Sequence, residues 1–241
     1  SGKSTTLYAA LAATDTATTR VLTVEDPVEF VHQHGRCLVT QREVGIDTAS
    51  FDVALKNSLR QAPDVILIGE IRSQDTMEYA LSFAETGHLC IATLHANNAN
   101  QAIDRIMHLV PKEMHQKLLF DLSLNLRGIV AQQLVPTADG QGRVAAIEVL
   151  LNSPLIADLI ARGEMGEIKA VMTKSRELGM QTFDQALYDL YQAGRISYAD
   201  AIHHADSPND LRLMIKLRSG DTKGAGFLSG VTIEGFEKSD D

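Results

Sequence analysis

Through its first 130 residues the chain alternates short, wholly apolar runs with stretches of helical period. That alternation restricts the fold more than any other feature. Val21–Val24, Cys37–Thr40, Val65–Ile68 and Leu89–Leu94 read as strands. They are apolar throughout instead of alternating, as strands covered on both faces are. Lys3–Ala13, Phe51–Arg60, Ser73–Glu85 and Asn98–His108 read as the helices between them. The order predicts an α/β fold with a mostly parallel sheet. Gly128–Leu134 and Arg143–Leu150, joined by PTADGQG, predict a hairpin whose glycines suit the turn.

From Ser153 the pattern is helical. TFDQALYDLYQAG places Phe183, Ala186, Leu187, Leu190 and Tyr191 on one face, with Thr182 as N-cap and Gly194 as C-cap. Ser197 with Asp200 three residues on starts another helix, and Ser207 before Pro208 a third. The expected organisation is a nucleotide-handling domain over 1–152 and a small helical domain over 153–219. The tail over 220–241, rich in Gly, Ser and acids, is expected to be poorly ordered.

Charge and cysteine content exclude several classes. With 22 Lys and Arg against 31 Asp and Glu, the net charge is −9. That argues against a general nucleic-acid or membrane-surface binder. Two separated cysteines, Cys37 and Cys90, make neither a disulfide framework nor a four-cysteine zinc site, and fit a reducing, cytoplasmic setting. No apolar run approaches the roughly 18 residues of a membrane span, and the start has no signal-peptide pattern.

In an open parallel sheet, ligands bind beyond the carboxyl ends of the strands. Glu25-Asp26-Pro27-Val28-Glu29 follows the first strand, Gly69-Glu70-Ile71-Arg72 the third, and His95-Ala96-Asn97 the fourth. The opening SGKST matches the end of the phosphate loop G-x-x-x-x-G-K-[ST]. Ser1, Gly2, Lys3, Ser4 and Thr5 are therefore the candidate nucleotide-binding residues. The pattern needs a glycine-led stretch and a strand before Gly2. The expectation is that the chain starts inside the motif and that this polypeptide alone binds ATP poorly.

Lys3 suits the β- and γ-phosphates, Ser4 offers a hydroxyl to Mg²⁺, and Glu70 a carboxylate to the metal shell. Either Glu25 or Glu29 suits the task of orienting and deprotonating the attacking water. His95 is placed to meet the γ-phosphate. An acid ending a strand also serves as a helix cap, so Glu25 and Asp26 have a structural reading as well. His88 lies seven residues before His95 and on the opposite face if both share one strand. His32, His34, His203 and His204 read as surface or capping residues, and Met172 and Met180 as core.

Four motifs in order resemble the secretion ATPase superfamily that powers type IV pili and type II secretion. VEDPVEF (Val24–Phe30) resembles its Asp box, DVILIGEIR (Asp64–Arg72) its Walker B motif, and AETGHLCIATLHANNANQAIDRI (Ala84–Ile106) its His box. CLVTQREVG (Cys37–Gly45) fits between them. The chain is most similar to the twitching-motility, pilus-retraction group of PilT and PilU, since it lacks the four-cysteine insertion of the extension motors. Glu167–Ser197, with SRELGMQTFDQAL, is closer in wording to the PilU branch.

The resemblance implies a RecA-like P-loop core, ATP and Mg²⁺ as cofactors, and ATP hydrolysis by a homo-hexameric motor. It implies work beside a PilT-type motor, on a PilC-like inner-membrane platform protein, from the cytoplasmic face. It assigns Glu29 as general base and Glu70 as the Walker B glutamate. Both His88 and His95 become His-box residues, and Arg42 and Arg72 candidate links between subunits. An extension or type II secretion motor, and a nucleic-acid-stimulated RecA-like ATPase, are the alternatives.

Overall fold

The computed structural model describes residues 2–13, 18–33 and 35–218. Ser1, His34 and the 220–241 tail lie outside these residues, so the readings of them above stand as expectations. Arg20–Glu25 (β1), Leu38–Glu43 (β2), Val65–Ile68 (β3) and Leu89–Ala92 (β4) form a sheet in the order β2-β1-β3-β4, with every pair parallel. Lys3–Ala13 (α1) covers one face, where Leu7, Tyr8 and Leu11 meet Val21, Val65 and Leu67. Phe51–Ser58 (α2) and Gln74–Glu85 (α3) lie in the core of the other face, with Val24, Ile66 and Ile68. Successive strand side chains point to opposite faces. Because both faces of β3 are covered, all four of its side chains are apolar and buried.

The outer strands differ from expectation for the same reason. β2 begins at Leu38, which is 60% exposed, and continues through the polar Gln41, Arg42 and Glu43. β4 stops at Ala92 instead of Leu94. There the chain turns its bonds toward the segment after β3: Ile71 N donates to Thr93 O at 3.0 Å, and the Thr93 hydroxyl donates to Gly69 O. α2 passes into a 3₁₀ turn at Leu59–Gln61, and Ser73 and Asn98 cap α3 and Ala99–Met107 (α4) instead of belonging to them.

His115–Asn125 (α5) has no counterpart among the sequence-based assignments, although Leu118, Leu119 and Leu122 give it a buried stripe. Its start is silent: Met114 stands at the N-cap and its side chain makes no capping bond. Gly128–Pro136 (β5) and Arg143–Leu151 (β6) pair antiparallel, with Val130 opposite Val149. On its outer side β4 borders a cleft of about 610 Å³, with α1, α4 and β5 contributing to the walls. Cys90 of β4 lines it. Burial pushes that thiol up to about 12, so it stays protonated and unreactive at neutral pH.

The helices after residue 153 divide between two cores. Pro154–Arg162 (α6) and Met165–Lys174 (α7) bury Ile156, Ile160, Ile168 and Met172 in the same core as Ile66 and Phe83. Phe183–Gln192 (α8), Tyr198–His204 (α9) and Pro208–Arg218 (α10) pack on the hairpin through Phe183, Leu187, Ala201 and Leu211, against Val135 and Ala146. Thr182 closes a capping box with Gln185, and Ser197 accepts from Asp200 N. Ala193 is the C-cap of α8, and Gly194 follows it at φ 66°, where a glycine is least strained.

Glu148 of β6 ties the two cores together. It is fully buried, and its two oxygens accept from Ala99 N at 2.8 Å and Phe183 N at 3.4 Å, the first residues of α4 and α8. Burial is the largest influence on its carboxyl and raises it above the ordinary value, although the two N–H donors and Lys169 oppose the rise.

Removing the Phe83 ring from the centre of the larger core should cost about 3–5 kcal/mol. Urea denaturation of Phe83→Ala measures this. For Glu148 the sign follows from the raised carboxyl: the folded chain holds this proton more tightly than the unfolded chain. Its stabilising contribution is complete below the unfolded value and is lost as pH rises through the folded one. Glu148→Gln does not titrate. The stability margin of the wild type over that variant should therefore shrink from about pH 4.5 to pH 8, read from denaturation midpoints at both.

Candidate nucleotide site

The parallel register places the ends of β1, β3 and β4 at one edge, and α1 begins there. Gly69 is what allows β3 to leave beside β1. Its N–H donates to Val24 O at 2.8 Å, and a Cβ there would lie 3.1 Å from Glu25 Cα. Gly2 stands at φ 78° ahead of α1, and a Cβ on it would meet the Gln132 amide of β5 at 2.4 Å. The first N–H groups of a helix have no intrahelical acceptor and carry the positive end of its dipole. Ser4 and Thr5 occupy that first turn.

A continuous polar chain crosses the edge. Lys3 Nζ donates to Leu94 O at 3.1 Å and lies 3.5 Å from His95 Nδ1. His95 Nε2 is 2.9 Å from Glu70 Oε1. Arg72 Nε donates to Glu70 Oε2 at 2.5 Å, and an Arg72 terminal nitrogen is 3.8 Å from Asp26. A neutral imidazole with its proton on Nε2 satisfies both contacts, donating to Glu70 and accepting from Lys3. Four segments thus contribute five side chains, and charges alternate along them. Glu70 is 14% exposed whereas His95 is 66% exposed, so the anion is the fixed member.

The remaining candidates lie elsewhere. Glu29 is exposed on the loop after β1, close enough for its charge to add to the rise of the Tyr8 phenol. Burial is the main cause of that rise, which reaches about 12, followed by the charge and hydrogen bond of Glu25. His88 sits at the amino end of β4, the opposite end from His95, where its Nδ1 lies 3.0 Å from Thr86 Oγ1 and 3.2 Å from Phe83 O. Arg42 lies in β2 in register with Val24, outside the chain of contacts from Lys3 to Asp26. Arg72, expected to link subunits, is bound here to Glu70 and Asp26 of its own chain.

The structure separates the two acids that spacing left equivalent. Glu25 is buried and accepts from Tyr8 OH at 3.1 Å, Thr23 Oγ1 at 2.7 Å and Gln41 Nε2 at 3.1 Å. A carboxylate so occupied is an anchor. Sequence reasoning did not find Tyr8, Thr23 and Gln41. The alternation of β2, which places Gln41 and Glu43 on one side, is the signal that could have found Gln41.

Residues 1–189 match the model of the family described as type II/IV secretion system protein. The chain is 62% identical over 232 residues to the type IV pilus ATPase PilU of Pseudomonas aeruginosa, covering 96% of this chain and 60% of that protein. It is 42% identical over 211 residues to the type IV pilus retraction ATPase PilT of the same organism, covering 87% of this chain and 61% of that one. Its structure resembles the crystal structure of the pilus retraction motor PilT with bound ADP, with a TM-score of 0.82 and 40% identity over 89% of this chain and 61% of the other. The chain therefore spans about three fifths of the length of these relatives. On the motifs, the fold and the family match together, the chain belongs to the type II/IV secretion system protein family, with PilT and PilU among its relatives.

Proposed function

We propose that the intact protein is an ATP-hydrolysing motor that drives type IV pilus retraction, working as a PilU-like accessory to a PilT-type motor. The observation that carries this reading is the polar chain from Lys3 through His95, Glu70 and Arg72 to Asp26 at the head of α1. Its donor set suits a nucleotide triphosphate and Mg²⁺. Ser1, Gly2, Lys3, Ser4 and Thr5 hold the phosphates through the helix terminus and the ammonium. Ser4 and Glu70 would hold Mg²⁺, Glu70 partly through water, and the ion would supply neutralisation of the phosphate charge. His95 reports the γ-phosphate: when Lys3 turns to the phosphate, His95 Nδ1 loses its donor, and the change reaches Arg72 through Glu70.

Glu29 is the general base. It accepts a proton from the attacking water as that water's oxygen bonds to the γ-phosphorus and the bond to the β-bridging oxygen breaks. Glu25 does not compete for this task, because three donors already occupy it. The ATPase unit spans residues 1–152 and the helical unit 153–219, with α6 and α7 of the second sharing the core of the first. The assembly is a homo-hexamer in which Arg42 and Arg72 carry nucleotide state to a neighbouring subunit. The partners are the PilT-type motor and a PilC-like inner-membrane platform protein, and the motor works from the cytoplasmic face. No helix among the described residues is long and apolar enough to cross a membrane. The net charge of −9 speaks against nucleic acid as a partner.

Steady-state hydrolysis by the intact protein tests this. Glu29→Gln should lower kcat by about 10²- to 10⁴-fold with ATP affinity within about twofold. Lys3→Ala should lose affinity. His95→Ala removes one of the two partners of Glu70 and leaves Arg72 in place, so turnover should fall while the melting temperature stays close to that of the wild type. Undiminished turnover in Glu29→Gln removes Glu29 as base. Pili that lengthen instead of shortening, when the protein is expressed in cells lacking retraction, would favour the extension reading.

A further inference from the structure

The loop that carries Glu29 is gripped from β2. Gln41 spends its whole amide there: Nε2 donates to Glu25 Oε1 at 3.1 Å and to Phe30 O at 3.0 Å, and Oε1 accepts from His32 N at 2.7 Å. A carboxylate only accepts, so buried Glu25 fixes which end of the amide is nitrogen. Two residues on, and on the same side of β2, Glu43 Oε2 accepts from Val28 N at 3.0 Å. The residues on either side of Glu29 are therefore both tied to β2, while Glu29 itself is left exposed. The loop is also held to α1, since the rings of Phe30 and His32 lie 5.5 Å and 4.7 Å from that of Tyr8. Tyr8 closes the set by donating to the same Glu25.

We propose that Gln41 is the positioning residue for the base: it transfers the fixed orientation of buried Glu25 to the backbone on both sides of Val31, directly after Phe30, and so aims Glu29 relative to the head of α1. The proposal rests on the reading of Glu29 as general base. An exposed carboxylate on a loop has no packing of its own to hold it, and a displacement of about 1 Å at a reacting group can cost about 10²-fold in rate. The hydrogen bonds to Phe30 O and His32 N supply that hold without occupying the Glu29 carboxylate. The titratable groups about the Gln41 amide are Glu25 of β1, which it bonds, Tyr8 of α1, which shares that carboxylate, and His32 of the loop, with Glu43 two residues on along β2 and Glu29 next to Phe30. The Tyr8 phenol, pushed up to about 12 chiefly by burial, stays neutral throughout the working range.

The test uses the intact protein and three variants, with kcat, KM for ATP and melting temperature measured from pH 6 to pH 8.5. Gln41→Ala should lower kcat about 10- to 100-fold and leave KM within about twofold. Gln41→Glu places a second carboxylate against Glu25. Its kcat should be low at pH 8.5, where both carboxylates are charged, and recover in part toward pH 6, as the close pair takes up a shared proton that restores one donor and one acceptor. The wild-type profile, measured alongside, corrects for titration of the other groups. Parallel losses in kcat, KM and melting temperature at every pH would mark a merely structural residue and overturn the proposal. Gln41→Ala with wild-type kcat would also overturn it. Glu29→Gln separates the two readings: if that variant is inactive while Gln41→Ala is not, only the positioning role fails. If Glu29→Gln turns over normally, the base assignment fails and Gln41 has nothing to aim.

Discussion

Parallel pairing of β1 with β3 is the constraint from which the site follows. With Val24 opposite Ile68, the next residues of both strands emerge side by side. Glu25 turns back into the protein as an anchor, and Gly69, free of a side chain, passes against it and delivers Glu70 outward. β4 extends the same alignment to Thr93, which binds the backbone after β3 and so sets the path that carries His95. Shifting one strand by a residue would turn its polar end to the wrong face. The apolar pattern that fixes the register therefore also fixes the geometry of the polar chain.

Much of this was legible because strong local signals agree with the tertiary fold. α1 ends where the helical pattern ends, and β3 is the apolar run Val65–Ile68 without change. Ser73, Asn98, Thr182 and Ser197 announce helices through their side chains, and each caps one. α5 announces itself with no such residue, so its apolar stripe went unassigned. Strand ends at the outer edges were also misjudged, because composition does not reveal which strands lie outermost. In the site, the strand–acid and strand–histidine order was enough to bring Glu70 and His95 to Lys3. Spacing could not tell Glu25 from Glu29, because the difference lies in three donors contributed by α1, β1 and β2.

The helical half is not an appendage to the sheet. α6 and α7 complete the core that begins at Val24, and α8 to α10 stand on the hairpin. Glu148 sits between the two, holding the start of the helix that follows His95 and the start of α8. Around it, Lys169 pairs with Asp206, and Asp184 accepts from the backbone of Asp206 and Ser207. One buried acid and one ammonium thus join the edge that carries the polar chain to helices far along the sequence.

The cleft beside β4 bears on what can pair along that strand. Among the described residues β4 is bonded on one side only, and its other side opens on about 610 Å³ of largely apolar wall. An open strand edge backed by greasy surface is a template for strand addition from any neighbouring molecule. β4 would therefore accept a further strand along that side, with the apolar wall behind it to cover one face.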